Sequence, residues 1–163
     1  RMNHPATDAP QHDALARHCR DIIEGRSSLA ALGGLDAAAL EAIYARGYDA
    51  WNAGDLDAAT SDFGFLVLQQ PRDRRFHFAF ACALQQQGEL HHALAFFSYA
   101  AAMQADDPFA VFHIGECLLR LDEIEGARDA LDAAIALCYG QADKPGHHAL
   151  RLRAEDLLAK LNH

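Results

Sequence analysis

Few side chains in this 163-residue chain could do chemistry, and they fall into four groups. His113 and Glu116 stand at i, i+3 on one helical face, a spacing that imitates an acid–base pair but more often makes an ion pair or a rim contact. The histidines include the pairs His91-His92 and His147-His148. Adjacent histidines point to different faces of a helix, whereas a zinc site needs ligands that converge, so no metal site is expected. The cysteines are Cys19, Cys82, Cys117 and Cys138; none forms a Cys-x-x-Cys pair, and all lie in helical patterns, so they read as reduced thiols rather than a disulfide framework. There is no nucleophile–base signature and no phosphate loop. No enzyme and no cofactor are expected. The fourth group is aromatic. Tyr44, Tyr48 and Trp51 recur at i, i+4, i+7 and form a stripe separate from the core set Ile43, Gly47 and Ala50.

That stripe has counterparts further along. The corresponding positions are Phe78, Cys82 and Gln85, and then Phe112, Glu116 and Leu119. The register comes from a pattern repeated every 34 residues: Gly54/Gly88/Asp122, Leu56/Leu90/Ile124, Ala59/Ala93/Ala127, Phe63/Phe97/Leu131 and, upstream, Gly47/Ala81/Gly115. This is the tetratricopeptide (TPR) signature, a helix–turn–helix unit. Glycine suits the left-handed turn that stops the first helix, and the acid after it favours the start of the second. Small residues let the two helices approach, and no unit buries its apolar face alone, so the units must stack. The predicted fold is all-α: three tandem TPR repeats in a right-handed superhelix, with flanking helices at both ends. In such a stack the first helices line the concave side. A groove with aromatic pockets and the amides of Gln85 and Gln86 would read an extended peptide, its pockets holding side chains and its amides the backbone.

Boundaries are set by punctuation. Residues 1–11 carry two prolines and no periodicity and read as disordered. Residues 12–35 read as an N-terminal helix and an apolar segment, with Leu15, Cys19, Ile22 and Ile23, then Leu29, Leu32 and Leu35. Of these, Leu15, Ile22, Leu29, Leu32 and Leu35 are candidates for capping the first repeat or for a dimer. Residues 36–141 hold the repeats, at about 40–73, 74–107 and 108–141, and 147–163 form a capping helix. Arg46 takes a place that Phe80 and Ile114 hold in the later repeats, an expected buried position, where it would either snorkel past its neighbours or take a carboxylate from the N-terminal segment. At 51% hydrophobic the chain can build a core, and a net charge of -9 argues against nucleic acid. No run is long enough to span a bilayer and no secretory signal pattern is present, so neither membrane insertion nor export is expected.

The motifs are more specific than a generic repeat. Asp107-Pro108 leads into Phe112-His113-Ile-Gly-Glu116-Cys117-Leu118-Leu119. Earlier stand Leu40-Glu-x-x-Tyr44 and Asp73-x-Arg75-Phe76, and Gln85-x-x-Gly88 precedes Phe97-Ser98-Tyr99-Ala100. From about Leu29 to Leu137 the chain resembles the class II chaperones of bacterial type III secretion, the SycD/LcrH-like group. The resemblance implies a cytoplasmic, non-enzymatic helper that holds two hydrophobic, pore-forming translocators before export. It implies a concave groove for an extended client segment, with Tyr44, Tyr48 and Trp51 at the family's aromatic positions. It also implies a possible homodimer, and in some members a transcriptional regulator or an export component as a further partner. Leu56 stands where some members have tyrosine. The alternative is a generic TPR adaptor that assembles a complex without protecting an unstable client.

Overall fold

The computed structural model describes residues 9–163. Among them the secondary structure is helical throughout: α1 (Ala9–Ile23), α2 (Leu29–Leu32), α3 (Ala37–Asn52), α4 (Leu56–Gln69), α5 (Arg74–Gln86), α6 (Leu90–Met103), α7 (Pro108–Arg120), α8 (Ile124–Tyr139) and α9 (His147–Leu161). Disorder expected over residues 1–11 falls mainly on residues outside those described, and α1 already begins at Ala9 rather than at His12. The first helix of each pair starts on an aspartate. Asp36, Asp73 and Asp107 accept from the backbone N–H of Ala39, Arg75 and Phe109, satisfying donors that a helix end leaves orphaned. Asp55 does the same for α4.

Helices pack on their neighbours in sequence: α3 on α4, α5 on α6 and α7 on α8 within pairs, and α4 on α5 and α6 on α7 between pairs. Helix α9 lies on α8 and reaches α7. The core forms three clusters, and each draws on two successive pairs or on the last pair and α9. Leu40, Phe63, Leu66 and Phe76 make the first; Ala81, Phe97 and Cys117 the second; Phe112, Leu131 and Leu150 the third. No pair closes a core by itself, which is the physical reason the units stack. Close approach within pairs depends on small residues: a methyl group on Gly47 would overlap the Phe63 ring, and one on Gly115 would press into the Leu131 side chain. The third inter-helix turn places Asp122 at φ 62, where the earlier turns use Gly54 and Gly88. Aspartate is among the few residues that tolerate this left-handed region.

Two expectations about buried positions need correction. Arg46 is not buried. It is exposed on α3 and makes a two-pronged pair with Asp62 of α4, Nε to Oδ2 at 2.9 Å and Nη2 to Oδ1 at 2.6 Å. The carboxylate comes from the partner helix of its own repeat, so no N-terminal residue is needed to neutralise it. Phe80, expected as a core residue facing its partner helix, does meet α6 but is only half-buried. It lies at the joint between repeats, near Gly64 of α4 and edge-on to Phe96 of α6 at 4.7 Å.

The N-terminal segment divides. Ala30 is 1% exposed and Leu35 is half-buried, and both join the first core cluster; Ser28 accepts a hydrogen bond from Gln70. Ile23 and Leu29 are exposed, at 80% and 41%, and Ile22 is half-buried. The side chains of Leu15 and Leu32 lie outside the described residues.

Candidate functional site

Helices α3, α5, α7 and α9 form one row. Arg75 of α5 reaches Glu41 of α3 at 2.6 Å and lies over the Tyr44 ring, while Tyr44 packs on Phe76 at 5.4 Å. Gln85 of α5 donates to Glu116 of α7 at 3.2 Å. Arg153 of α9 reaches Glu116 at 3.5 Å and covers the Phe112 ring at 4.7 Å. In a TPR stack this row is the concave side, and the candidate residues lie along it in two different environments.

Repeats one and two leave an apolar recess of about 150 Å³, lined by Tyr48, Trp51, Phe63, Ala79 and Cys82. Its rim is Tyr48, 38% exposed, held edge-on to Tyr44 at 4.9 Å and to Phe63 at 5.3 Å. Burial, then the hydrogen bond with Tyr44, pushes the Tyr48 phenol above its ordinary range, so it stays protonated; its hydroxyl oxygen accepts from the Tyr44 hydroxyl at 3.3 Å. The Cys82 thiol is pushed up to about 12, first by burial and then by Glu116 and Cys117. It therefore lines the recess as a small apolar group with no nucleophilic character. A second recess, of about 200 Å³, opens where α3 and α5 begin; Leu35, Leu40 and Phe76 line it together with Glu41, Asp73 and Arg75.

The third repeat is closed. Phe112, expected on the groove, is fully buried beneath Arg153 and belongs to the core that α9 completes. Once α9 occupies the flank of α7, the periodicity that placed Tyr44 and Phe112 in equivalent positions no longer gives equivalent exposure. What the third repeat presents is polar. His113 stacks flat on Phe97 at 5.0 Å and bonds through Nδ1 to Glu116 Oε1 at 2.7 Å. Burial raises the Glu116 pKa, but the hydrogen bond and charge of His113, the Gln85 amide and the charge of Arg153 outweigh it, and the carboxyl sits below its usual range. Phe78 is half-buried between Phe97 and His113, and Leu119 is half-buried one turn beyond Glu116.

The structure thus brings Tyr48, Trp51 and Cys82 around one recess and links Gln85 and Glu116 at another point, with Tyr44 and Phe78 between neighbours. Sequence reasoning missed Ala79 as a recess wall and placed Phe63 only in the core. It also missed Arg75 and Arg153. Arg153 lies on the terminal helix, outside the repeat register, so the periodicity held no signal for it. Among the described residues no group of three or more histidine, cysteine or acidic side chains could hold a metal ion, and no helix is long and apolar enough to cross a membrane.

No family model matches the chain. Among curated proteins it is similar to the low calcium response locus protein H of Yersinia pseudotuberculosis, 27% identical over 157 residues, which is 96% of this chain and 90% of the relative. Among solved structures it resembles a T3SS complex from Aeromonas hydrophila (TM-score 0.80, 30% identity, 88% of this chain and 94% of that one). It also resembles PcrH from Pseudomonas aeruginosa (TM-score 0.72, 32% identity, 79% and 96%), which has been solved with the chaperone binding regions of PopD and of PopB. SycD, the type III secretion translocator chaperone of Yersinia enterocolitica, superposes with TM-score 0.72 at 28% identity over 82% and 98% of the two chains, and has been solved with a peptide of the translocator YopD. With the same helix-pair stack, the Phe112-to-Leu119 motif in its third repeat and identity above 30% across most of both chains, this chain belongs to the class II translocator chaperones of type III secretion.

Proposed function

We propose that this chain holds hydrophobic translocator proteins in the bacterial cytoplasm before export, by capturing an extended client segment along the row α3, α5, α7. The observation that carries the reading is the open apolar recess under Tyr48 and Trp51, the part of the row where large aromatic surface is left uncovered. An aliphatic client side chain seated there would remove both surfaces from water, worth about 1.5–3 kcal/mol for a fully enclosed group. Gln85 and Glu116 supply polar partners for the client backbone, and His113 holds the Glu116 carboxylate in position. The role is masking, with no bond made or broken: Cys82 and Cys117 carry thiols pushed up to about 12 and about 11, chiefly by burial, and are poor nucleophiles at neutral pH. The clients are two translocators of one secretion system, and a second copy of the chain is a further partner, through Ile23, Leu29 and the rest of the N-terminal segment.

Co-expression tests this. The translocators encoded with this chain are expected to stay soluble when it is present and to aggregate or be degraded when it is absent. Tyr48→Ala should lose client recovery while melting near the parent. A client that is equally soluble without the chaperone would leave only the adaptor reading.

A further inference from the structure

Two arginines on the concave row are only partly engaged by the fold. Arg46 pairs with Asp62, Arg74 with Asp107, Arg75 with Glu41 and Asp73, and Arg151 with Glu155. Arg120, exposed at the end of α7, meets no carboxylate at ion-pair distance among the described residues; its Nη1 donates to the Gln85 carbonyl at 3.3 Å. Arg153 of α9 meets one carboxylate, that of Glu116, at a long 3.5 Å, and its side chain is 60% exposed. A guanidinium carries five N–H donors in a fixed fork, so both side chains keep donors to spare. The chain holds 23 acids against 14 lysines and arginines, so this local surplus of positive charge runs against its net charge.

Both arginines converge on the Gln85–Glu116 contact. Gln85 accepts from Arg120 on its backbone carbonyl and donates its side-chain amide to Glu116 Oε1 at 3.2 Å, while Arg153 approaches Glu116 Oε2. His113 also holds Oε1, at 2.7 Å. Both oxygens of the one carboxylate in the group are therefore engaged, and two guanidiniums set against it leave one positive charge over. The feature is peculiar to the third repeat, because Arg120 is in register with the neutral amides Asn52 and Gln86. It also stands close to the apolar recess: Cys82 lines that recess, and Gln85 follows one turn on along α5.

We propose that Arg120 and Arg153 receive an acidic side chain of the client segment, about three residues from the aliphatic side chain seated under Tyr48. This rests on the groove reading above and adds a second determinant to it. The spacing follows from neighbouring helices standing about 8–10 Å apart and an extended chain rising about 3.3 Å per residue. The guanidinium fork matches a carboxylate, which it meets with two N–H donors. Hydrophobic translocators offer many aliphatic residues, and the recess alone would not tell them apart; the arginines select the one followed or preceded by an acid. Overlapping peptides spanning the translocators encoded with this chain would be immobilised as an array and probed with the wild-type protein. The bound peptides are expected to share an aspartate or glutamate about three residues from a large aliphatic residue. Replacing that acid by its amide in a soluble, fluorescently labelled copy should weaken binding about tenfold by anisotropy, the loss of hydrogen bonds to a charged group. Added salt should weaken the acid peptide and leave the amide peptide unchanged. With Arg120→Gln and Arg153→Gln combined, the two peptides should bind alike; Arg120→Gln alone, at an exposed position, should narrow their difference if the double variant fails to fold. If array peptides bind the wild-type protein but their acid and amide copies bind it equally, or if a folded double variant discriminates them as the parent does, the arginine site does not exist and the groove reading stands. If no array peptide binds the wild-type protein, the groove reading falls and this inference with it.

Discussion

The first and third repeats carry equivalent sequence positions along the same row of helices and put them to opposite uses. Tyr44 and Phe112 are in register, as are Tyr48 and Glu116. Around the first pair the surface is apolar and open: Tyr48 is 38% exposed beside an unfilled recess. Around the second it is closed and ion-paired: Phe112 is fully buried, and Glu116 holds His113, Gln85 and Arg153 together. The difference comes from the helix that flanks each repeat on its C-terminal side. Beside the first repeat stands α5, which leaves a gap next to Trp51. Beside the third stands α9, whose Arg153 lies over Phe112. A stack of units built on one pattern can therefore leave an apolar recess open at one end and seal itself at the other.

Breaking the two ends separately should give opposite phenotypes. The largest effect is expected for Phe112→Ala, which empties a fully buried ring site and should cost about 3–5 kcal/mol in denaturant unfolding. Tyr48→Ala should cost far less stability, but client affinity measured by calorimetry should fall roughly ten- to a hundredfold, the equivalent of about 1.5–3 kcal/mol. If the two variants melt alike, the first repeat is as closed as the third and the comparison fails. Phe80→Ala should fall between them, at about 1–3 kcal/mol, because the ring is only half-buried at the joint between repeats.

Glu116 sharpens the polar end. Its carboxyl pKa is lower in the folded state than in an unfolded chain, so the ionised form stabilises the fold above the usual glutamate range. That contribution is lost as pH falls from the unfolded value, about 4.3, through the folded one. Urea melts of the parent and of Glu116→Gln should differ most above that window and converge below it. A constant difference across the range would mean that Glu116 acts through shape alone. The smallest effect is expected for Arg46→Ala, since the Arg46–Asp62 pair is exposed on the arginine side and screened by water. Its melting temperature should match the parent's, whereas a position buried as Phe80 is would show a clear fall.

The sequence alone determined the helix pairs, their turns and the family. Gly54, Gly88 and Asp122 mark the turns, and all three stand at positive φ. Gly47 and Gly115 mark the close approach of paired helices, made against Phe63 and Leu131. These features are legible because a repeat written three times fixes each helix relative to its immediate neighbours, and such contacts depend on residues at constant spacing. Only the tertiary structure decided which members of the aromatic stripe remain open. Phe112 is closed by Arg153, a residue outside the repeat register, and Arg46 escapes burial because Asp62 meets it from the next helix. Periodicity states which face of a helix a residue lies on; what covers that face depends on side chains that arrive from elsewhere in the chain.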